Sequence, residues 1–428
     1  MQQEPIYIVD GARTPFLKSR NKPGPFAASD LASDAGRALL MRQGFDPTVV
    51  DEVILGCAAP SPDEVNIARV ASLRMGCGHK VPAWTVMRNC ASGMQAIDAA
   101  ISSIRAGRSN LVLAGGVDAL SRAPLLYSDA MVLWLSNWYA AKSFGKKAAL
   151  AAKFRPSYLA PVIGLMKGLT DPMVGLLMGQ TAENVAYRFG ITRAEMDAYS
   201  ARSHQRVLAA QAAGRFAREV IPLYDRKGTL HAADDGVRED STPENLAKLR
   251  PFFDRKYGNV TAGNSSQITD GGVWMVIASE RALAEHRLQP RARIVDAEWA
   301  GIDPAYMGLG PVHAATPILQ RHGLALNDLD AWEINEAFAA QVLGCLRAWE
   351  SDDYCRDELG LPAAMGTLDQ SKLNVDGGAI AIGHPVGASG TRIVLHLVEV
   401  LERNGGKRGM AGICIGGGLG GAMLVERT

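Results

Sequence analysis

The chain contains 428 residues, which is enough for two or three domains with a large core. Its 45 Lys and Arg residues are balanced by 44 Asp and Glu residues, and the net charge of +1 excludes the basic excess typical of nucleic-acid-binding proteins. No apolar run approaches the roughly 20 residues needed to cross a bilayer. We therefore expect a compact, soluble globular protein.

The six cysteines are scattered along the chain, without a CxxC pair or a Cys/His cluster: Cys57, Cys77, Cys90, Cys345, Cys355 and Cys414. This spacing predicts neither a disulfide framework nor a metal site, and it fits a reducing compartment. A strand pattern begins near residue 5, which leaves no room for a signal peptide, and the last residues, VERT, are not a peroxisomal address. We expect a cytoplasmic protein, of bacterial origin, without a metal.

Strand and helix patterns alternate through the first 120 residues and define an N-terminal α/β half, 1–120. Residues 121–258 differ, because they are rich in Met, Lys, Arg and helix formers, and they predict an inserted, mostly helical lobe. Residues 259–290 return to a strand–helix pattern that completes the first half.

The second α/β half is predicted to span 291–428, with a helix at 336–349, another at 389–405 and a strand at 408–417. The two halves contain a repeated tripeptide, Ala91-Ser92-Gly93 and Ala388-Ser389-Gly390, that opens a helix followed by a glycine break and a strand. This repetition indicates duplication. We expect two α/β halves, with parallel-type crossovers, related by a pseudo-twofold axis.

Cys90 lies in the string RNCASGMQA (88–96), where a strand pattern at 81–86 meets a helix pattern. A helix start offers unpaired N–H groups and the positive end of the dipole, which favour a thiolate. This position therefore predicts more thiolate than the few per cent of an ordinary cysteine with a pKa of about 8.5. By itself the pattern leaves two interpretations open, a nucleophile or a cysteine that only fills the core.

Three polar or glycine-rich turns of the second half follow predicted strands or precede helices. His384 lies between glycines and Pro385, in a rigid loop that is expected to present it rather than bury it. Asn335 ends a strand and could be an N-cap. Cys414 is followed by Gly416, where backbone N–H groups can approach a ligand. The same glycines form a GxGxxG pattern at 416–421, but no helix pattern follows, so no dinucleotide site is predicted.

Together these strings resemble the thiolase family. NCASGMQA, NEAF, GHPVGASG and the C-terminal CIGGG occur in the family's order, and TAENVA (181–186) and TAGNSSQITDG (261–271) resemble segments that line the coenzyme A channel. The resemblance covers nearly the whole chain. Residues 138–161 are similar to the β subunit of the fatty-acid β-oxidation trifunctional complex, although those subunits often have histidine where this chain has Asn335.

The resemblance implies a thiolase fold, in which two α/β/α/β/α halves carry an inserted loop domain, and coenzyme A as co-substrate without a permanently bound cofactor. It implies roles for eight residues: Cys90 as the nucleophile that holds an acyl thioester, His384 as base and oxyanion-hole donor, Cys414 as acid and base, Asn335 as the holder of an oxyanion water, Gly416 as a backbone oxyanion-hole donor, Ser266 and Met178 as contacts to the pantetheine arm, and Arg238 as a contact to the nucleotide end of coenzyme A.

Several functions remain open at this point. Degradative cleavage of 3-ketoacyl-CoA is favoured, with acetyl-CoA C-acetyltransferase activity, which makes or cleaves acetoacetyl-CoA, as the alternative. A decarboxylating ketoacyl synthase would use one cysteine and two histidines, so Cys414 argues against it. A non-catalytic lipid carrier would be expected to lose Cys90, His384 or Cys414.

The resemblance also implies partners: a homodimer or dimer of dimers, and a hydratase/dehydrogenase α subunit if the enzyme works in the trifunctional complex. In the lobe, Met131, Trp134 and Trp138 fall at helical spacing and are followed by a basic stretch that begins at Lys142. Such an amphipathic segment within 121–180 can touch a membrane surface or a partner, or it can pack over the body of the enzyme.

Overall fold

The computed structural model describes residues 4–428. Its strands are β1 (Ile6–Arg13), β2 (Leu17–Lys18), β3 (Glu52–Gly56), β4 (Ala83–Val86), β5 (Leu111–Ala119), β6 (Leu125–Leu126), β7 (Val162–Ile163), β8 (Leu223–Tyr224), β9 (Leu230–His231), β10 (Thr269–Ser279), β11 (Ala292–Gly301), β12 (Ala331–Ile334), β13 (Arg408–Ile415) and β14 (Leu419–Arg427).

The helices are α1 (Ala28–Met41), α2 (Ile67–Met75), α3 (Ser92–Arg105), α4 (Asp129–Ala140), α5 (Phe144–Ala152), α6 (Gly164–Gly168), α7 (Met178–Arg188), α8 (Arg193–Ala212), α9 (Pro243–Leu246), α10 (Glu280–His286), α11 (Gly310–His322), α12 (Ala339–Glu350), α13 (Asp352–Leu359), α14 (Ala379–Ile382) and α15 (Val386–Asn404). Short 3₁₀ turns occur at Pro47–Val49, Leu120–Arg122, Pro156–Leu159, Pro304–Leu309 and Leu326–Asp328.

A single large sheet runs through both halves in the order β12-β13-β14-β11-β1-β10-β5-β3-β4. The pairing is parallel where β3 meets β4 and β5 and where β12 meets β13. Every other pair along this path is antiparallel. The expectation of parallel-type crossovers therefore holds only for these outer strands, because the inner strands β1, β10, β11 and β14 alternate in direction.

The two halves repeat one topology. In the first half β1 pairs with β10, β10 with β5, and β5 with β3. In the second half β11 pairs with β14, β14 with β13, and β13 with β12, in the same directions. Helix α3 precedes β5 as α15 precedes β13. The pseudo-twofold arrangement predicted from the repeated tripeptide is thus present in the fold.

Helices α3 and α15 cross at their first turns, where the two copies of the tripeptide lie. A Cβ built on Gly93 of α3 would stand 2.7 Å from the carbonyl oxygen of Gly387, and one built on Gly390 of α15 would stand 2.6 Å from the backbone nitrogen of Met94. Both distances are too short for a real side chain. Glycine at these two positions lets the helices approach closely, and this contact brings the Cys90 segment to the His384 loop.

The sheet has a helical layer on each face. Along β10, Val273, Met275 and Ile277 belong to the core that contains α3 and α15, whereas Trp274 and Val276 belong to the core that contains α1 and α2. This alternation follows from the two-residue period of a strand. Helix α15 is buried from Gly387 to Leu401 and forms the centre of the molecule.

The region between β5 and β10 contains α4–α9 and two small antiparallel strand pairs, β6 with β7 and β8 with β9. Helix α4 buries Met131 but leaves Leu133 64% and Tyr139 82% exposed. Within residues 4–428 the structure contains no helix that combines the length and apolar character needed to span a bilayer.

Two segments differ from the sequence-based prediction. Helix α12 begins at Ala339 rather than at 336, because Phe338 adopts an extended backbone and serves as the N-cap residue. The last strand, β14, was not predicted. It begins at Leu419, directly after Gly417 and Gly418, whose positive φ angles turn the chain back along β13.

Candidate active site

Cys90 lies between β4 and α3, two residues before the helix begins at Ser92. The residue is partly exposed. Burial of its thiol raises the pKa of Cys90, although the nearby backbone N–H groups of Gly416 and of Cys90 itself act in the opposite direction. The expectation of an enriched thiolate is therefore wrong, because desolvation outweighs the helix terminus. Cys90 is held as a thiol and needs a base.

Asn89 connects the Cys90 segment to the second half of the chain. Its backbone has a φ of 43°, in the left-handed region that asparagine tolerates better than most residues. Its Nδ2 donates to the carbonyl oxygen of Gly416 at 2.8 Å. Sequence analysis missed this contact, although an asparagine directly before a candidate nucleophile was a usable signal.

His384 lies between α14 and α15 and is only 8% exposed, so the prediction that its loop presents it rather than burying it is wrong. Its Nδ1 lies 2.6 Å from Oγ of Ser389, and this hydroxyl donates to the carbonyl oxygen of Pro385 at 3.0 Å. Because the hydroxyl proton is already used, Nδ1 carries the proton that joins His384 to Ser389. The lone pair of the neutral ring is then at Nε2.

The Nε2 atom of His384 is buried and has no hydrogen-bond partner among residues 4–428. Burial, together with the nearby positive charge of Arg392, lowers the pKa of His384 to about 4. The ring is therefore neutral at pH 7. A neutral imidazole with a free Nε2 is the form that accepts a proton.

The loop of His384 is held by two residues that lie far away in sequence. Its backbone N–H donates to the carbonyl oxygen of Gln267 at 3.1 Å. The backbone N–H of Gly387 donates to the buried carboxylate of Asp118, which also accepts from the N–H of Ala59 at 2.8 Å. Asp118 therefore ties the end of β5 to the start of α15, and sequence analysis gave no indication of this role.

Asn335 follows β12 and is completely buried. Its backbone N–H donates to the carbonyl oxygen of Gly412, and it does not cap α12, which begins four residues later. Its Oδ1 accepts from Arg392 at 3.3 Å, whereas its Nδ2 has no partner in the described part of the chain. Asn335 and His384 thus each hold one buried polar nitrogen that no residue of 4–428 pairs with.

Glu336 is adjacent to Asn335 in sequence but is used differently. Its carboxylate accepts from the hydroxyls of Tyr199 at 2.9 Å and Ser203 at 2.6 Å, and from Nδ2 of Asn374 at 3.0 Å. These bonds fasten α8 to the turn after β12. The Glu336 carboxylate makes no hydrogen bond to His384 or to the Asn335 side chain.

Cys414 lies in β13, near its end, and is completely buried. Burial raises the pKa of Cys414 well above its usual range, and the thiols of Cys90 and Cys345 raise it further. The effect of Cys90 on Cys414 reflects the proximity of the two thiols. Cys414 is therefore a neutral thiol next to a second thiol.

Gly416 begins the turn between β13 and β14, and its N–H and carbonyl groups both face the Cys90 segment, as described above. A Cβ at this position would stand 3.0 Å from the sulfur of Met178, the first residue of α7. Met178 therefore packs over the Gly416 turn. A side chain on Gly416 would displace it.

Ser266 and Arg238, the other predicted contacts to coenzyme A, are both partly exposed. The backbone N–H of Ser266 donates to the carbonyl oxygen of Ala337 at 2.8 Å, so this loop is joined to the turn that carries Asn335. The backbone N–H of Arg238 donates to Nδ1 of His204 at 3.1 Å. Neither observation assigns a ligand. The residues described, 4–428, contain no His, Cys, Asp and Glu cluster able to hold a metal ion.

Comparison with known proteins identifies the family. The thiolase N-terminal domain matches residues 6–281 and the thiolase C-terminal domain matches residues 288–427. The chain belongs to the thiolase family. It is an acyltransferase that uses coenzyme A as a substrate and has no permanent cofactor, as thiolases do.

The relatives of this thiolase have several activities. The chain is 40% identical to the β-ketoadipyl-CoA thiolase of Pseudomonas aeruginosa, over 99% of each protein. It is 38% identical to the acetyl-CoA acetyltransferase of Allochromatium vinosum, again over 99% of each. The crystal structure of human mitochondrial 3-ketoacyl-CoA thiolase in complex with CoA superposes with a TM-score of 0.85 at 37% identity, covering 99% of this chain and 98% of that one.

Proposed function

We propose that this thiolase cleaves 3-ketoacyl-CoA with coenzyme A, giving acetyl-CoA and an acyl-CoA shortened by two carbons, through an acyl thioester on Cys90. One observation carries the proposal: a neutral histidine with a free, buried Nε2 accompanies two neighbouring thiols, Cys90 and Cys414, that are both held protonated. This is the protonation state required before a thiol attacks a carbonyl with the help of a base.

In the first step His384 accepts the Cys90 proton at Nε2 as the sulfur attacks the 3-keto carbon. The negative charge passes to the keto oxygen, which lies next to the sulfur and is held by the backbone N–H groups of Cys90 and Gly416. The N–H of Gly416 lies near enough to the Cys90 thiol to lower its pKa, and the bond from Asn89 to the Gly416 carbonyl holds the two segments together, which supports this placement. Loss of one such donor typically costs about 100- to 1000-fold in rate.

In the second step the bond between carbons 2 and 3 breaks, and the keto carbon becomes the acyl thioester of Cys90. The bonding electrons form the enolate of acetyl-CoA, whose oxygen is stabilised by the protonated Nε2 of His384 and, through an ordered water, by Nδ2 of Asn335. Cys414 donates its proton to carbon 2. The unpaired Nε2 and Nδ2 atoms support this assignment, because buried polar atoms without partners are unfavourable unless a ligand pairs with them.

In the transfer half-reaction a second coenzyme A enters and loses its thiol proton to Cys414. Its thiolate attacks the acyl thioester, and the oxyanion forms on the same carbon as before, so the N–H groups of Cys90 and Gly416 serve again. Cys90 leaves and recovers its proton from His384. The reverse sequence is the Claisen condensation of two acyl-CoA molecules.

For substrate binding we propose that Ser266 and Met178 border the pantetheine arm and that Arg238 approaches the nucleotide end of coenzyme A. Met178 packs on the Gly416 turn, and Ser266 is bonded to the turn next to Asn335, so both lie close to the reacting groups. We keep the proposed domain limits, with the N-terminal half at 1–120 and 259–290, the loop domain at 121–258 and the C-terminal half at 291–428.

The second part of the proposal concerns the length of the acyl chain in the substrate. The similarity of residues 138–161 to trifunctional-complex β subunits favours fatty-acid β-oxidation, whereas relatives that act as acetyl-CoA acetyltransferases support the alternative, synthesis or cleavage of acetoacetyl-CoA. A kcat/KM series with 3-ketoacyl-CoAs from about four to sixteen carbons separates the two. A maximum at medium or long chains is expected, and activity restricted to acetoacetyl-CoA would support the alternative.

The covalent intermediate is tested by mass spectrometry after mixing with a 3-ketoacyl-CoA. We expect an acyl group on Cys90 in the wild-type enzyme and none in Cys90→Ser. An acyl group on another cysteine would overturn the assignment of the nucleophile. Absence of any adduct and of any cleavage would overturn the proposed function itself.

We further propose that the loop domain of a cytoplasmic homodimer, or dimer of dimers, contacts a membrane surface or a hydratase/dehydrogenase α subunit. Tyr139 and Phe144 are 82% and 89% exposed, and Lys142, Lys146 and Lys147 lie beside them. Replacing the three lysines with alanine should weaken sedimentation with anionic vesicles or with the α subunit, while turnover of short substrates is kept. Unchanged association would favour a loop that only covers the enzyme.

A further inference from the structure

Arg392 is a buried cation on α15, three residues after the serine that supports His384. The side chain is 2% exposed. Its Nη1 donates to Oε2 of Glu333 at 3.0 Å, and its Nη2 donates to Oδ1 of Asn335 at 3.3 Å. One guanidinium therefore joins a charge-neutralising carboxylate to the amide of a proposed active-site residue.

The chemistry of the guanidinium determines which way the Asn335 amide faces. Arginine has five N–H donors and no acceptor, so only the oxygen of the amide can face it. The reversed amide would place NH₂ against N–H between two buried side chains, and both groups would lose their hydrogen bonds. With Oδ1 fixed on Arg392, Nδ2 must point away from it, and Nδ2 is the atom that is buried without a partner among residues 4–428.

The same arrangement occurs at His384. Ser389 accepts from Nδ1 of the ring and leaves Nε2 unpaired, just as Arg392 donates to Oδ1 of the amide and leaves Nδ2 unpaired. Both supports lie on the first two turns of α15. Helix α15 therefore binds Nδ1 of His384 and Oδ1 of Asn335. It leaves Nε2 of His384 and Nδ2 of Asn335 free for a ligand.

We propose that Arg392 is a positioning residue that fixes the amide of Asn335 with Nδ2 directed at the enolate oxygen or at the water that binds it. The inference rests on the proposed function, because it needs Asn335 to act on the enolate. Arg392 does not touch the substrate. Burial is the larger cause of the low pKa of His384, so the ring should stay neutral at pH 7 without the Arg392 charge. The effect of Arg392 should therefore be confined to the step in which carbons 2 and 3 separate or join.

The experiment measures two half-reactions of the full-length enzyme. Thiolysis of a 3-ketoacyl-CoA forms the enolate, whereas exchange of labelled coenzyme A with acetyl-CoA uses acyl-Cys90, His384, Cys414 and the backbone N–H groups but forms no enolate. For Arg392→Met we expect the kcat of thiolysis to fall about 10- to 100-fold, as for other misplaced reacting groups. KM and the exchange rate should stay within about twofold of wild type.

A double-mutant cycle then distinguishes positioning from general stability. If Arg392 acts through Asn335, adding Arg392→Met to an Asn335→Ala enzyme should lower the kcat of thiolysis by less than about twofold. Additive losses, or an equal fall in thiolysis and exchange, would overturn the inference. A wild-type enzyme that forms no acyl-Cys90 would instead refute the proposed function, so the two failures are distinguishable.

Two further variants complete the design. Arg403→Met is the matched control, because Arg403 also lies on α15 and pairs with buried Asp376 at 2.7 Å, but it does not contact Asn335. It should lower the thermal midpoint and leave both half-reactions unchanged.

Arg392→Lys keeps the charge beside Glu333 but has a single ammonium in place of the planar guanidinium with its two Nη groups. The kcat of thiolysis should fall in Arg392→Lys as it does in Arg392→Met. If Arg392→Met does not fold, Arg392→Lys is used in its place. Full activity of Arg392→Lys would contradict the proposal.

Discussion

Ser389 accepts a hydrogen bond from Nδ1 of His384 at 2.6 Å while its own proton is given to the carbonyl oxygen of Pro385. This pair of bonds leaves only one proton arrangement for the neutral ring, with the lone pair on Nε2. The basicity that the proposed mechanism requires is therefore set by a serine that lies one turn into α15.

Replacement of Ser389 by alanine removes the acceptor for Nδ1–H, so the ring loses both its fixed tautomer and its orientation. We expect kcat for thiolysis to fall about 10- to 100-fold, as is typical when the outer hydrogen-bond partner of a functional histidine is removed. Ser200→Ala is the control, because Ser200 is a buried helical serine that bonds only to the carbonyl oxygen of Met196, at 2.8 Å. Equal activity of Ser389→Ala and the control would show that the bond has no role in proton transfer.

Replacement of Cys414 by alanine should separate the two halves of the catalytic cycle. The variant lacks the proton donor for carbon 2 and should lose thiolysis, while Cys90 can still be acylated by a simple acyl-CoA. Acylation is measured by mass spectrometry and thiolysis by the loss of the 3-ketoacyl-CoA absorbance. Cys355→Ala, at a second completely buried cysteine, should keep both reactions. Normal thiolysis by Cys414→Ala would assign the acid–base role to another group.

The pH dependence of kcat/KM reports the lowered pKa of His384. A ring with a pKa of about 4 stays neutral as the pH falls from 8 to 5, whereas an ordinary histidine would be protonated below about 6.5. We therefore expect no loss of kcat/KM on the acidic side until the pH approaches about 5, after correction for unfolding. A midpoint near pH 6.5 would mean that His384 is more accessible to water than its 8% exposure indicates.

Alanine at Gly93 should act through the crossing of α3 and α15. The added Cβ would lie 2.7 Å from the carbonyl oxygen of Gly387, so the helices must separate. We expect a loss of about 1–3 kcal/mol in the free energy of unfolding, as for other overpacked cores, together with lower turnover. Urea unfolding measures the first effect. Gly145→Ala in α5 is the control, because a Cβ there meets open space, and it should raise stability by about 0.5–1 kcal/mol.

The sequence was sufficient where the signal is local. The strand–helix junction at Cys90, the repeated tripeptide and the glycine turn after Cys414 are each contained in fewer than ten residues. The same holds for the apolar face of α3, where Met94 and Ile97 are completely buried. Such short patterns can be recognised without knowing which other parts of the chain pack against them.

The sequence was insufficient where an environment is assembled from distant segments. His384 is buried because Gln267 and Asp118 bind its loop, and Asp118 lies 269 residues from Gly387. The pKa of Cys90 was expected to fall but is raised, for a similar reason. The helix start can be predicted from neighbouring residues, whereas the burial that raises the pKa depends on distant segments. The contact between Arg392 and Asn335 could not be predicted either, because the two residues lie 57 positions apart in the sequence.

The two halves of this thiolase meet along a main-chain seam, where β1 pairs with β11 from Ile6 opposite Ile294 to Ile8 opposite Ala292. Backbone hydrogen bonds of this kind are independent of side-chain identity, so the seam can persist while the loops around it diversify between family members. Since α3 and α15 also interlock across it, neither half is expected to melt alone. A calorimetric scan should show a single endotherm for the N- and C-terminal halves, with the catalytic groups of both lost together.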